Sequence, residues 1–169
     1  TLMAAVALTK AFHKMGLTDA GIKWPNDILV NGRKLVGILT EMSGSMEEIS
    51  HIVMGIGVNV KTKQEELPEE LKLIATSLAM EDIDIERTEA FRLILEELEH
   101  QYYEVLDSGF DETLNEWRQL SVTLGEEIEV RAPGNTYEGA ATDIDEDGNL
   151  LVRIPDGTIK RIVAGDVSI

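Results

Sequence analysis

The run Lys23-Trp24-Pro25-Asn26-Asp27 presents a cation, an indole, an amide and a carboxylate within five residues. Proline removes a backbone donor and holds the residue before it extended, so such a run belongs at a strand edge or a bulge. The set can meet a purine, its phosphates and a metal ion; the plainer alternative is a strand-edge turn around a half-buried indole. Lys34 heads an apolar strand after Asn31-Gly32-Arg33. It either points to solvent or reaches a phosphate as a point charge. Gly37 weakens the interior of that strand unless a ligand or another backbone comes close. Further on, Gly55-Ile56-Gly57-Val58-Asn59 sets two glycines in or at the end of a strand. They leave a flat face for a planar ring, and Asn59 can pair with the one donor and one acceptor of an adenine edge. A bulge near the strand end is the alternative.

Other chemistries find no support. The Gly-x-Gly lacks the third glycine and following helix of a dinucleotide fingerprint, and there is no P-loop or serine nucleophile elbow. His13, His51 and His100 are scattered and cysteine is absent, which removes the usual zinc sets, disulfides and thiol chemistry and fits a reducing cytoplasm. The net charge of −17 argues against nucleic-acid binding through this segment. Residues 1–40, with five cations and two anions, are the one cationic stretch; they can hold an anion in a repelling field, or be a chance cluster. The acidic group Glu65-Glu66 and Glu69-Glu70 reads as a solvated face. No apolar run is long enough to span a membrane and no signal segment is present.

The elements that position these residues follow from periodicity. Leu2, Met3, Ala5, Val6, Ala7, Leu8, Phe12 and Met15 form a helical stripe that Gly16 ends. The stripe starts at the second residue with no lead-in, so the chain is expected to enter its fold midway. Asp27–Val30, the Asn31-Gly32 turn and Arg33–Met42 spell a hairpin, with a further turn at Ser43–Ser45. His51–Val60 is a third strand, completing an antiparallel meander. A short helical piece is expected within Pro68–Leu78. A longer helix buries Phe91, Ile94, Leu95, Leu98, Tyr102, Val105 and Leu106, and Asp111 caps a third with Leu114 and Trp117. From Thr123, short β-rich pieces alternate with turn clusters, the texture of a small barrel of about five strands. This divides the chain into residues 1–122 and 123–169.

Taken together, Lys23–Asp27, Asn31-Gly32-Arg33-Lys34-Leu35-Val36-Gly37-Ile38-Leu39-Thr40-Glu41, Gly55–Val60, Ala75-Thr76-Ser77-Leu78 and the tail with Gly139-Ala140, Ile144-Asp145 and Gly165-Asp166-Val167-Ser168 resemble the biotin protein ligases in order and spacing. The resemblance implies an α+β fold: an antiparallel or mixed sheet with flanking helices, similar to class II aminoacyl-tRNA synthetases, then an SH3-like barrel. It implies joining biotin to ATP as biotinyl-5′-AMP, with release of pyrophosphate, and transfer of biotin to a lysine of a carboxylase carrier domain. By the same resemblance Lys34 touches the biotin carboxylate and the α-phosphate. Lys23, Asn26 and Asp27 serve the phosphates and Mg²⁺. Asn59, beside Gly57, reads adenine. Gly37, Ile38 and Trp24 line the biotin slot. Catalysis falls to Lys34 and Asp27, with Asp27 either orienting the lysine or holding the metal. The family's glycine- and arginine-rich loop upstream is not among these residues, so the segment is expected to be N-terminally truncated and weak or inactive by itself. A homodimer is a further expectation. The alternative is a non-catalytic fragment, or the dimerising body of a biotin-responsive repressor. A lipoate ligase shares the fold, but the Lys-Trp-Pro-Asn-Asp run argues for biotin.

Overall fold

The computed structural model of the chain describes residues 1–44 and 49–169. Helix α1 (Leu2–Lys14) is buried on nearly all sides, from Ala4 through Thr9 and at Ala11 and Phe12. Its stripe is wider than one amphipathic face because α1 lies against the sheet on one side and two further helices on the other. It closes with Gly16 N–H on the His13 carbonyl and Leu17 N–H on that of Phe12, the paired bonds that satisfy last-turn carbonyls.

Four strands follow in simple antiparallel order: β1 (Ala20–Lys23), β2 (Asp27–Val30), β3 (Arg33–Gly44) and β4 (Ile49–Val58). The sheet has one strand more than the meander expected, because the residues before Trp24-Pro25 pair back onto β2. Asn31 and Gly32 both take positive φ, the tight turn that matches strand twist. Of the turn expected at Ser43–Ser45, Ser43 and Gly44 are still strand, paired with His51 and Ile49, and Ser45 lies outside the described residues.

Between β4 and the second helix the chain makes single 3-10 turns at Gln64–Glu66, Glu69–Leu71 and Ala79–Glu81, where a short helix was expected. Its middle instead completes the sheet. Lys34 N–H donates to the Ile74 carbonyl and Thr76 N–H to the Lys34 carbonyl, on an edge that β4 is too short to cover. Backbone groups left unpaired at that edge would be costly, and residues 74–76 satisfy them.

Helices α2 (Arg87–Ser108) and α3 (Asp111–Leu120) pack on α1. The face of α2 differs from the expected stripe. Ile94 and Leu98 point inward, but Phe91 and Leu106 are 62% and 64% exposed, and Leu95 and Tyr102 are exposed as well. The cause is α1, which offers Lys10 and Lys14 to its neighbours. Lys14 pairs with Glu97, while Lys10 meets Glu116 and Gln101, so α2 turns Glu97 and Gln101 inward. Asp111 is the first residue of α3 rather than its cap, a place where a carboxylate still suits the helix dipole.

The C-terminal sheet holds β5 (Glu127–Ala132), β6 (Asn135–Ile144), β7 (Leu150–Arg153), β8 (Ile159–Ile162) and β9 (Asp166–Ser168), in the order β8-β7-β6-β5-β9 and antiparallel throughout. A bulge at Ala141–Asp143 bends β6, as a small barrel requires. Three contacts seat this sheet on the rest of the chain. Trp24 N–H donates to Thr123 Oγ1 (2.9 Å), the Trp24 indole to the Gly148 carbonyl (3.1 Å), and Arg118 to Asp143 and the Ile144 carbonyl. The whole is α+β. Among the described residues no helix is long and apolar enough to cross a membrane.

Candidate functional site

Lys23, Asp27, Gly37 and Gly57 are successive partners across the four strands, so they form one row on one face of the first sheet. The neighbouring row, Ile22, Ile28, Val36 and Val58, points the other way, toward the helices. Between β2 and β3 the register slips, with Val36 opposite Ile28 but Lys34 opposite Leu29, leaving Leu35 as the extra residue. This bulge swings Lys34 onto the open row.

The Lys34 side chain lies along Gly37, where a methyl group would come within 3.1 Å of Cε and 3.2 Å of Nζ. The room that glycine leaves is thus taken by the lysine. Its ammonium stands 2.7 Å from Asp27 Oδ1 with 48% of the side chain exposed, against 17% for Asp27. The approach is at ion-pair distance but too oblique for a hydrogen bond, and buried Oδ1 has no hydrogen-bond partner among the described residues. The result is a half-exposed cation held beside one carboxylate. It stands in a cleft of about 810 Å³ whose walls include Lys23, Leu29 and Ile74 from the core and Val167 and Ile169 from the barrel.

Asn59 follows β4. Its N–H donates to the Leu35 carbonyl (3.1 Å) and its side-chain amide to the Thr76 carbonyl (3.0 Å). One amide N–H is therefore engaged, leaving a second N–H and the oxygen for a ligand.

The remaining candidates stand elsewhere. Trp24, Asn26 and Ile38 line a second pocket of about 460 Å³ with Pro25, Thr40 and Asn149. Ile38 is buried and paired with Ile56, on the face opposite Gly37. Gly37 and Ile38 are neighbours on β3 whose side-chain positions face opposite sides of the sheet. Trp24 is buried with its N–H committed to the barrel, and Asn26 brackets β3, its amide donating to the Ile38 carbonyl (2.8 Å) and its carbonyl accepting from Ile38 N–H (2.9 Å). For Thr76, which joins Lys34 to Asn59, the sequence carried no chemical signal beyond its place in Ala75–Leu78.

A metal held by the chain alone is not supported. Among the described residues no three His, Cys, Asp or Glu side chains gather, and Asp27, the one carboxylate of the row, already faces an ammonium. Mg²⁺ is commonly held by only one or two carboxylates together with substrate phosphates.

Comparison with known proteins agrees with this architecture. The description "Biotin/lipoate A/B protein ligase family" matches residues 2–59, and "Biotin protein ligase C terminal domain" matches residues 123–169. The chain belongs to the biotin protein ligase family. It is 36% identical over 170 residues to the bifunctional ligase/repressor BirA of Bacillus subtilis (strain 168), which covers all of this chain and 52% of that protein. It is 34% identical over 164 residues to the biotin–[acetyl-CoA-carboxylase] ligase of Paracoccus denitrificans, covering 93% of this chain and 67% of that one. The biotin protein ligase of Aquifex aeolicus in complex with biotin and ATP superposes with a TM-score of 0.82 at 27% identity, over 99% of this chain and 68% of that one. The chain spans about half the length of the Bacillus relatives it matches (52%).

Proposed function

We propose that these residues carry the nucleotide-activating face of a biotin–[carboxyl carrier protein] ligase. The observation that carries the reading is Lys34, held over Gly37 beside Asp27 and open to a cleft between sheet and barrel. In the first half-reaction a biotin carboxylate oxygen attacks the α-phosphorus of ATP. The new O–P bond forms as the bond to the β-phosphate oxygen breaks, and pyrophosphate leaves with the electron pair. Two anions must approach, and the Lys34 ammonium lowers their repulsion and stabilises charge on the phosphoryl oxygens. Asp27 orients it. Lys23, at the end of the row, offers a second cation to the phosphates, and Asn59 reads adenine above Gly57. In the second half-reaction the acceptor lysine amine attacks the biotinyl carbonyl, the C–O bond to AMP breaks with its electron pair leaving on the phosphate, and the proton lost by the amine passes to solvent.

Mg²⁺ would supply charge neutralisation to the nucleotide's phosphates, and Asp27 is the carboxylate of the row that would help to hold it. Gly37 makes room for Lys34, and Trp24, Asn26 and Ile38 support the row from the other face. Partners are a biotin carboxyl carrier domain and a second copy, for which the outer edge of β4 is the open strand. The compartment is the cytoplasm. A non-catalytic body is not favoured, since a degenerate sheet has no reason to keep Lys34, Asp27 and Asn59 together.

The test is biotin-dependent release of pyrophosphate, and labelling of a carrier domain, by a protein that continues these 169 residues to the length of the relatives. We expect both. A protein that folds, binds biotin and ATP, and releases no pyrophosphate would overturn the reading.

A further inference from the structure

Thr76 touches both residues assigned to opposite ends of the nucleotide. It is 1% exposed. Its N–H donates to the Lys34 carbonyl (2.9 Å) and its own carbonyl accepts from the Asn59 amide (3.0 Å). Its hydroxyl donates to Glu81, the carboxylate that also takes Arg33 Nη2 (2.6 Å). Arg33 precedes Lys34, so the contacts close into a ring: Lys34, Thr76, Glu81, Arg33. Nothing in β4 performs this task, because its pairing with β3 begins only at Val36.

The bond to Asn59 has a chemical consequence. A side-chain amide presents an N–H₂ group at one position and an oxygen at the other. Turned over, Asn59 would set its oxygen against the Thr76 carbonyl, two acceptors with no proton between them. The carbonyl therefore fixes which way the amide faces, leaving one N–H and the oxygen to read a base. Adenine offers N7 as acceptor and N6 as donor, whereas a 6-oxo purine offers two acceptors.

We propose that Thr76 is a positioning residue that fixes the facing of Asn59 while anchoring the Lys34 backbone, and so sets selectivity for a 6-amino over a 6-oxo purine nucleotide. The inference rests on the proposed reading of Asn59.

The carbonyl itself survives any substitution, so the test removes what anchors it: Thr76→Val deletes the hydroxyl that ties residue 76 to Glu81 at constant shape, and Thr76→Ser restores the tie. ATP and ITP are titrated into each, all made in a protein that continues these 169 residues to the length of the relatives. We expect the wild-type chain to prefer ATP, Thr76→Val to lose on the order of tenfold of that preference, and Thr76→Ser to keep it. Glu81→Gln, should Thr76→Val not fold, is expected to act in the same direction more weakly. Weakening of both nucleotides by an equal factor marks a merely structural residue and overturns the proposal. A wild-type chain with no ATP preference, or no binding, overturns the reading of Asn59 instead. Exchange of the Asn59 side-chain amide protons, followed by NMR without nucleotide, checks the bond directly. One protected proton in wild type, released in Thr76→Val, is the expected result, and two equally fast protons in wild type defeat the proposal.

Discussion

Two carboxylates, Asp27 in the first sheet and Asp145 in the barrel, divide the molecule by how their oxygens are used. Asp145 Oδ1 accepts from Asp147 N–H, Asn149 N–H and the Asn149 amide, while Oδ2 takes the same amide and Arg161. Burial pushes its pKa up, but the Asn149 amide, the Asn149 backbone N–H and Arg161 outweigh that and bring it down to about 2. Asp27 has one ammonium at ion-pair distance and a buried oxygen with no hydrogen bond among the described residues. A fully bonded carboxylate makes a turn rigid; one with a single mobile partner leaves that partner available. The two are linked, since the Asp145 turn presents the Gly148 carbonyl that holds the Trp24 indole, three residues before Asp27.

The sharpest way to break this contrast is to remove the available partner. In a ligase of full family length carrying these residues, Lys34→Ala should slow biotinyl-AMP formation by roughly 10²–10³, like loss of one oxyanion donor. Its stability should change by under about 0.5 kcal/mol, as for a half-exposed side chain. Arginine should rescue only in part, being planar and larger. Single-turnover kinetics with saturating biotin and ATP is the measurement, and parental rates in the alanine variant would end the argument for this site.

A smaller effect is expected when Lys34 stays and its bed is changed. Gly37→Ala places a methyl 3.1 Å from Lys34 Cε and 3.2 Å from Nζ. The far end of the lysine yields, so folding is little disturbed, but the ammonium moves. A displacement of about 1 Å costs on the order of 10–10² in rate. Unfolding curves that overlay, alongside a slower adenylation, separate positioning from stability; an unaltered rate removes Gly37 from the site.

Asp145 should behave in the opposite manner. Its pKa is lowered on folding from 3.8 to about 2, so its contribution to stability is full above pH 3.8 and is lost as pH falls toward 2. With the side chain 20% exposed, that contribution is at most about 2 kcal/mol. Urea unfolding between pH 5 and pH 2 should show the loss in wild type and a flatter profile in Asp145→Asn. Adenylation at neutral pH by folded Asp145→Asn should be near parental, and a large drop would make the barrel turn part of the chemistry.

Much of this was legible beforehand, and the rest fails for identifiable reasons. The Asn31-Gly32 turn is local backbone chemistry, and the chain folds there as its residues dictate. The Lys34–Asp27 pairing depends on a one-residue bulge at Leu35, which no periodicity signals. The exposed side of α2 was misjudged because Phe91, Leu95, Tyr102 and Leu106 are at helical spacing, while the inward face is chosen by Lys10 and Lys14 on a helix some eighty residues earlier. The sheet edge completed by residues 74–76 was invisible for a similar reason: it is a vacancy created by the length of β4.

The finest test of the comparison lies at the junction of the two regions. Thr123 is fully buried, and its hydroxyl accepts the Trp24 N–H at 2.9 Å. Thr123→Val keeps the shape and strands a buried backbone donor. Such a bond contributes about 1 kcal/mol net, with the orphaned group adding to the cost only as far as water is kept out. The expected outcome is a stability loss of about 1 kcal/mol in denaturant titration. If the barrel serves only to seat the Lys23–Asp27 run, the adenylation rate should fall by less than about threefold, because β1 and β2 still hold the row through their own pairing from Ala20 to Lys23. A rate loss as large as that of Gly37→Ala, without matching unfolding, would mean that the seating of Trp24 reaches Lys34 through Asp27, and the division between supporting and available carboxylates would have to be redrawn.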